Sequence, residues 1–273
     1  MRFNAANVAC HPHLNSCYNL IMTKPLYLPP VPALGRIDIH SHLLPGIDDG
    51  CEDIDQCIDC INQLKAVGYT GTICTPHIIP DTFPDNTWEN IIQWVADLRV
   101  ELANRSVDYT IWPGGEINLQ ENMPDWLEEN GVPTLAGSNR VLMDHWADTW
   151  PTWFPTVIQW FIDKGYQPIL AHPERVRCTW DEPEKLDELL DMGVWLQGNF
   201  LSIVGEHGPA PDQSVRQFIE QQKYKIMAMD MHRPDALPSR IDGMAIVQKE
   251  YGSPTLDYFT VDAPRQLILK HLL

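Results

Sequence analysis

A chain of 273 residues with a net charge of −18 is long enough for one barrel-sized domain with a substantial core. Its 44% hydrophobic and 21% charged residues exclude extended disorder over most of the length. The acidic surface repels nucleic-acid backbones and anionic membranes, so no nucleic-acid partner is expected. It would also repel an anionic phosphoester unless local cations reverse the field, as bound divalent metals do.

No apolar run reaches the ~18 residues of a membrane span, so no membrane insertion is expected. Residues 1–22 lack the charged-then-apolar order of a signal peptide. The seven cysteines, at positions 10, 17, 51, 57, 60, 74 and 178, form no framework of close pairs. Reduced thiols and a cytoplasmic protein are the reading. Cys57 and Cys60 have the C-x-x-C spacing, but they fall in a helical pattern with no second pair to complete a zinc site.

Residues 1–35 read as an irregular N-terminal extension, rich in proline at Pro25, Pro29, Pro30 and Pro32. Met22 is a candidate translation start. From residue 36 onward, short β-branched runs alternate with amphipathic ones. Strands are expected at Arg36–His40, Thr70–Thr75, Tyr109–Pro113, Arg140–Asp144, Pro168–His172, Val194–Asn199 and Lys225–Asp230. Helices are expected near 53–67, 87–104, 122–130, 151–164, 182–192, 211–222, 238–251 and 262–272. Seven strand–helix units imply a parallel sheet with helices outside, and a barrel over residues 36–273 is the economical closure. No Gly-rich dinucleotide fingerprint follows the first strand.

Histidines and carboxylates collect where these strands end. The first runs out into His40-Ser41-His42, with Asp48-Asp49-Gly50 beyond; the second ends in Thr75-Pro76-His77 and the third in Gly114-Gly115-Glu116. The fifth ends in His172-Pro173-Glu174-Arg175 and the seventh in Asp230-Met231-His232. In a β/α barrel all these ends face one mouth. Alternation along a strand lets His40 and His42, or Asp230 and His232, address the same point. Imidazole with carboxylate suits zinc, manganese or iron, and a carboxylate can bridge two ions. His11, His13 and His271 are read as solvated, whereas His145 and His207 follow strands and can approach the mouth. The run Trp150, Trp153, Val157, Trp160 has helical core spacing; Trp146 and Trp150 lie nearest the mouth and could flank an aromatic substrate.

These motifs resemble the polymerase and histidinol phosphatase (PHP) superfamily, and more closely its CpsB/CapC-type bacterial protein-tyrosine phosphatases. The matching stretches are Asp38–Gly50, Thr75–His77, Gly115–Ile117, Ala171–Arg175 and Asp230–His232. The resemblance implies a distorted (βα)7 TIM-like barrel holding two or three divalent ions, manganese first, with iron or zinc as alternatives. His40, His42, Glu116 and Asp230 would hold the first ion. Glu116 would bridge to a second, held also by His172. Asp49, His77 and His232 would hold a third. Arg175 resembles the phosphate-binding arginine, and Arg233 and Arg240 are both available as a second clamp. The implied substrate is a phosphotyrosine protein, a bacterial tyrosine kinase that regulates capsule or exopolysaccharide, and the chain could act as an oligomer.

The expected chemistry is attack of a metal-bound hydroxide on phosphorus, with Arg175 forking onto phosphate oxygens. No Cys-x5-Arg phosphate loop is present. Three other readings compete. One is a small-molecule phosphatase, such as one acting on histidinol phosphate. Another is an amidohydrolase, which would favour a strand-end lysine that the chain lacks. The third is a non-catalytic metal-binding interaction module.

Overall fold

The computed structural model describes residues 26–269; Met22, His11, His13 and His271 lie outside them. Its strands are β1 (Arg36–Asp38), β2 (Tyr69–Cys74), β3 (His77–Ile78), β4 (Thr110–Pro113), β5 (Glu116–Asn118), β6 (Arg140–Asp144), β7 (Gln167–Ala171), β8 (Trp195–Asn199) and β9 (Tyr224–Ala228). Between and after them run α1 (Ile54–Ala66), α2 (Trp88–Asn104), α3 (Met123–Asn130), α4 (Phe154–Asp163), α5 (Cys178–Asp181), α6 (Pro183–Asp191), α7 (Pro209–Glu220), α8 (Leu237–Tyr251), α9 (Ser253–Asp257) and α10 (Ala263–Leu269).

All strand pairings are parallel, in the orders β1-β2-β4 and β3-β5-β6-β7-β8-β9. The two runs are one sheet with an interruption. Cys74 pairs with Pro113 and His77 with Glu116, so the register carries straight across the gap. Pro76 has no N–H to give a ladder, yet its carbonyl still accepts from Glu116 N at 3.1 Å. The expected second and third strands are therefore each two collinear pieces, leaving seven positions. At the seam, Asp230 N donates to His40 O at 3.0 Å and His42 N to Met231 O at 2.8 Å, beside a parallel bridge from Ser41 to Met231. This is a distorted (βα)7 barrel. Its first strand stops at Asp38 rather than His40, because the residues beyond turn their backbone to the seam.

Strand alternation sorts the core. Ile37, Ile73, Trp112, Leu142, Ile169 and Ile226 point inward as one cluster, while Val141, Met143, Leu170, Leu196 and Met227 face the helices. Asp53 caps α1, accepting from Asp55 N and Gln56 N. α1 buries Cys57 and Cys60, and all five described cysteines are buried and free. Residues 26–35 form no helix or strand. Leu28 and Val31 pack against the inward cluster, and Trp112 Nε1 donates to Pro29 O at 3.0 Å. No described helix is long and apolar enough to cross a membrane.

Candidate metal centre at the strand ends

At two of the strand ends the backbone departs from regular geometry. His172, directly after β7, has φ 34°, and Asp230, after β9, has φ 48°. Left-handed backbone at a non-glycine residue costs on the order of 1–3 kcal/mol and persists only where neighbours hold it. His172 N donates to Gln197 O at 2.7 Å. The carbonyl of Asp230 accepts from Arg240 Nε at 3.0 Å. The loop after β1 folds back so tightly that a Cβ on Gly50 would lie 2.1 Å from His42 O; only glycine fits there. That turn delivers Asp48 and Asp49 to the mouth.

The side chains converge on Glu116, which opens β5 and is fully buried. Its Oε2 lies 3.1 Å from His40 Nε2, 3.4 Å from His42 Nε2 and 3.0 Å from His77 Nδ1; its Oε1 lies 2.9 Å from His172 Nε2. Asp230 Oδ1 is 3.4 Å from His40 Nε2 and 3.5 Å from His42 Nε2. Asp49 Oδ1 is 3.4 Å from His77 Nε2 and 3.5 Å from His232 Nε2.

Most of these approaches lack hydrogen-bond geometry. Among the described residues, His40 Nε2, His42 Nε2, His77 Nδ1, Glu116 Oε2 and Asp144 Oδ2 are buried with no hydrogen-bond partner. Buried polar atoms are rarely left so, because each costs about 1–3 kcal/mol. The opposite ring nitrogens are committed. His40 Nδ1 donates to Gln197 Oε1 at 2.8 Å and His42 Nδ1 to Asp48 Oδ2 at 2.7 Å. That leaves both Nε2 lone pairs aimed at the centre, as an outer shell does for metal ligands. Four groups offer ligand atoms within 4.8 Å of one another: His40, Glu116 and His172; His40, His42 and Asp230; His42, Asp49, His77 and His232; and His77, Glu116 and Asp144. An all-nitrogen-and-oxygen donor set of this kind fits divalent ions.

Electrostatics agrees. Burial alone would lift Glu116, but the His40 imidazole, with His172 and His42, outweighs it and holds the carboxyl well below its usual range. Asp230 is likewise held down against burial by His40, His42 and Arg175. In return Glu116 and Asp230 overcome the burial of His40 and raise it to about 9. Asp144 goes the other way: burial and the charge of Glu116 push it up to about 8. The cluster draws positive charge to its centre.

Each expected ligand (His40, His42, Asp49, His77, Glu116, His172, Asp230 and His232) falls in at least one of these groups. The arginines separate. Arg175 stands at the rim, one-third exposed, with Nη1 2.9 Å from Asp230 Oδ2. Arg240 is buried, and its Nε and Nη1 donate to the carbonyls of Met229, Asp230 and Ala236; it braces the Asp230 turn. Arg233 is exposed. His145 turns away from the mouth and stacks on Trp150 at 5.9 Å. His207 approaches Ser202 Oγ at 3.5 Å; burial and then Arg175 hold it down to about 4. Sequence reasoning passed over Asp144, although it too is a strand-end carboxylate, and it overlooked the supporting roles of Asp48, Gln197 and Asn199. Asn199 Nδ2 donates to Asp230 Oδ2 at 2.6 Å.

Residues 36–269 match the family model described as capsular polysaccharide synthesis, CpsB/CapC. The chain belongs to the CpsB/CapC family. Among its relatives is the tyrosine-protein phosphatase CpsB of Streptococcus pneumoniae, 27% identical over 246 residues, covering 87% of this chain and all of that one. Tyrosine-protein phosphatase YwqE of Bacillus subtilis is 25% identical, covering 86% of this chain and 92% of its own. A solved chain from the crystal structures of YwqE and CpsB, described as metal-dependent tyrosine phosphatases, superposes with a TM-score of 0.76 at 25% identity. It covers 85% of this chain and 94% of that one. The phosphotriesterase homology protein of Escherichia coli shares the fold, at a TM-score of 0.56 and 10% identity over 87% of this chain and all of that one.

Proposed function

We propose that this CpsB/CapC family member is a metal-dependent phosphatase that hydrolyses phosphotyrosine in proteins. One observation carries the reading: buried imidazole and carboxylate atoms without hydrogen-bond partners converge on Glu116, with a rim arginine beside them. His40, His42, Asp49, His77, Glu116, Asp144, His172, Asp230 and His232 would hold two or three divalent ions, manganese first, with iron or zinc as alternatives. When bound, these ions supply positive charge and a water of lowered pKa. Arg175 contributes the protein's own phosphate contact. One bond, from Nη1 to Asp230, tethers it, and the remaining N–H groups can fork onto phosphate oxygens. Asp48 and Gln197 keep His42 and His40 in the tautomer that leaves Nε2 free. A tyrosine leaving group, with a pKa of ~10, needs less protonation than an alkyl alcohol.

The family's link to capsular polysaccharide synthesis supports a bacterial tyrosine kinase of that process as the physiological substrate. The buried, unpaired thiols support a cytoplasmic site of action. The test is phosphate release from a phosphotyrosine peptide and from histidinol phosphate, with manganese and then with chelator. Chelator-sensitive turnover favouring the peptide, abolished in His40→Ala, is the expected result. Preference for histidinol phosphate would move the substrate to metabolism, and turnover of neither would remove the phosphatase reading.

A further inference from the structure

The site carries an aromatic lip at its rim. Trp146 is 61% exposed, yet its indole sits edge-on to His77, with centroids 5.6 Å apart and planes at 90°. On the same imidazole lies Phe83, parallel at 6.4 Å. His77 itself is 3.0 Å from Glu116. Two aromatic rings therefore flank one residue of the candidate metal centre. Among the described residues Trp146 is one of five exposed large apolar side chains, and of those five it alone has a ring contact with a residue of the site.

Its loop is not loose. Just before it, Asp144 accepts from Asn118 Nδ2 at 3.1 Å and His145 is buried in an aromatic stack, 4.9 Å from Phe154 and 5.9 Å from Trp150. Just after it, Trp150 Nε1 donates to Cys178 O at 3.1 Å. A large indole is thus held in water on a packed platform at the rim. Leaving such a surface exposed forgoes the gain of burying it, and an aromatic partner would recover that gain.

Resting on the phosphatase reading above, we propose that Trp146 is the specificity-determining residue that packs against the phenyl ring of a phosphotyrosine while the phosphate lies at the candidate metal centre beside Arg175. Aliphatic phosphoesters would reach the same phosphate position and gain nothing from the lip. Ring-on-ring contacts of this kind are offset or edge-to-face and are worth about a threefold to tenfold preference.

The test uses the manganese-loaded full chain. kcat/KM is measured for a phosphotyrosine peptide and for the same peptide carrying phosphoserine, in wild type, Trp146→Ala and Trp146→Phe. The aromatic-over-aliphatic ratio should fall about threefold to tenfold in Trp146→Ala, chiefly through KM for the phosphotyrosine peptide, and recover in Trp146→Phe. A rim loop that merely collapsed would slow both substrates together and leave the ratio unmoved, which overturns the proposal; so does a phenylalanine variant as poor as the alanine one. Should wild type release no phosphate, the phosphatase reading falls on its own. Calorimetric titration with phenylphosphonate and inorganic phosphate then decides the lip separately. Tighter binding of phenylphosphonate, lost in Trp146→Ala, supports it, and equal affinities overturn it.

Discussion

The two ends of the barrel interior are built from opposite materials. Toward the N-terminal ends of the strands, Ile37, Ile73, Trp112, Leu142, Ile169 and Ile226 fill the space with apolar volume, and Leu28 and Val31 pack against them. The indole N–H of Trp112, its one polar group, is satisfied by Pro29 O. A few residues along the same strands, the mouth is lined with buried nitrogens and carboxylate oxygens that have no hydrogen-bond partner among the described residues. Two residues there hold left-handed backbone, as Ala136 does within the floor cluster. Each such feature costs on the order of 1–3 kcal/mol. The well-packed core offsets that cost. Stability and chemistry are separated along one set of strands, so mutations at the two ends should fail in different assays.

The largest effect is expected from Glu116→Gln. The amide keeps the shape but removes the charge shared by two of the ligand groups. Phosphate release should fall on the order of 10³-fold, and the metal content of the purified protein should drop with it. A Glu116→Gln variant that kept its metal and most of its turnover would mean the mouth is not a metal centre. At the other end, Ile226→Ala empties a fully buried position and should cost about 2–5 kcal/mol in urea unfolding. Activity per folded molecule should stay near wild type. Parallel loss of activity and stability would show that the ends are not separable.

The separation also explains what could be read from the sequence. The strands and the longer helices were legible from hydrophobic period, whereas the short α5 and α9 were not, and three consecutive apolar residues such as Val141, Leu142 and Met143 do not reveal which face each takes. The candidate ligands were legible because His and Glu at strand ends are conspicuous: His40-Ser41-His42 and Asp230-Met231-His232 could each be placed on one wall. Asp144 escaped because it closes an apolar strand and gains meaning only from Glu116 and His77, which are brought beside it from β5 and β3. Arg240 could not be sorted for the same reason. Nothing in the chain distinguishes a guanidinium that clamps phosphate from one that holds the carbonyls of a left-handed turn. The breaks at Pro76 and Gly114-Gly115 were visible as residues. Their effect, two collinear strand pieces in one register, depends on the partner strand.

A smaller effect sharpens the picture of the mouth. The Asp48 carboxylate accepts from three donors: His42 Nδ1 at 2.7 Å, His77 N at 3.0 Å and Gly50 N at 3.0 Å. Burial alone would raise its pKa, but His42 and the bond from His77 N hold it down to about 2, so it stays ionised. Asp48→Asn leaves one acceptor oxygen for those donors and turns an NH₂ toward one of them. Metal affinity should fall about 10- to 100-fold in a chelator-competition titration, and the unfolding midpoint of the metal-free protein should fall as well, because one buried donor loses its acceptor. An unaltered affinity would remove Asp48 from the support of the site.

The mildest test lies at the floor. Arg265, on α10, forks onto the N-terminal segment, with Nη1 2.5 Å from Pro32 O and Nη2 2.9 Å from Gly35 O. Lysine offers a single ammonium on a flexible stem and cannot reproduce a planar two-pronged contact. Arg265→Lys should therefore lose the equivalent of one hydrogen bond, about 0.5–1.5 kcal/mol, read as a small drop in thermal midpoint. Metal affinity and turnover should hold, because residues 32–35 meet the barrel at the end away from His40 and Glu116. If this substitution weakened metal binding instead, strain at the floor would be reaching the mouth through β1, and the division between the two ends would not survive.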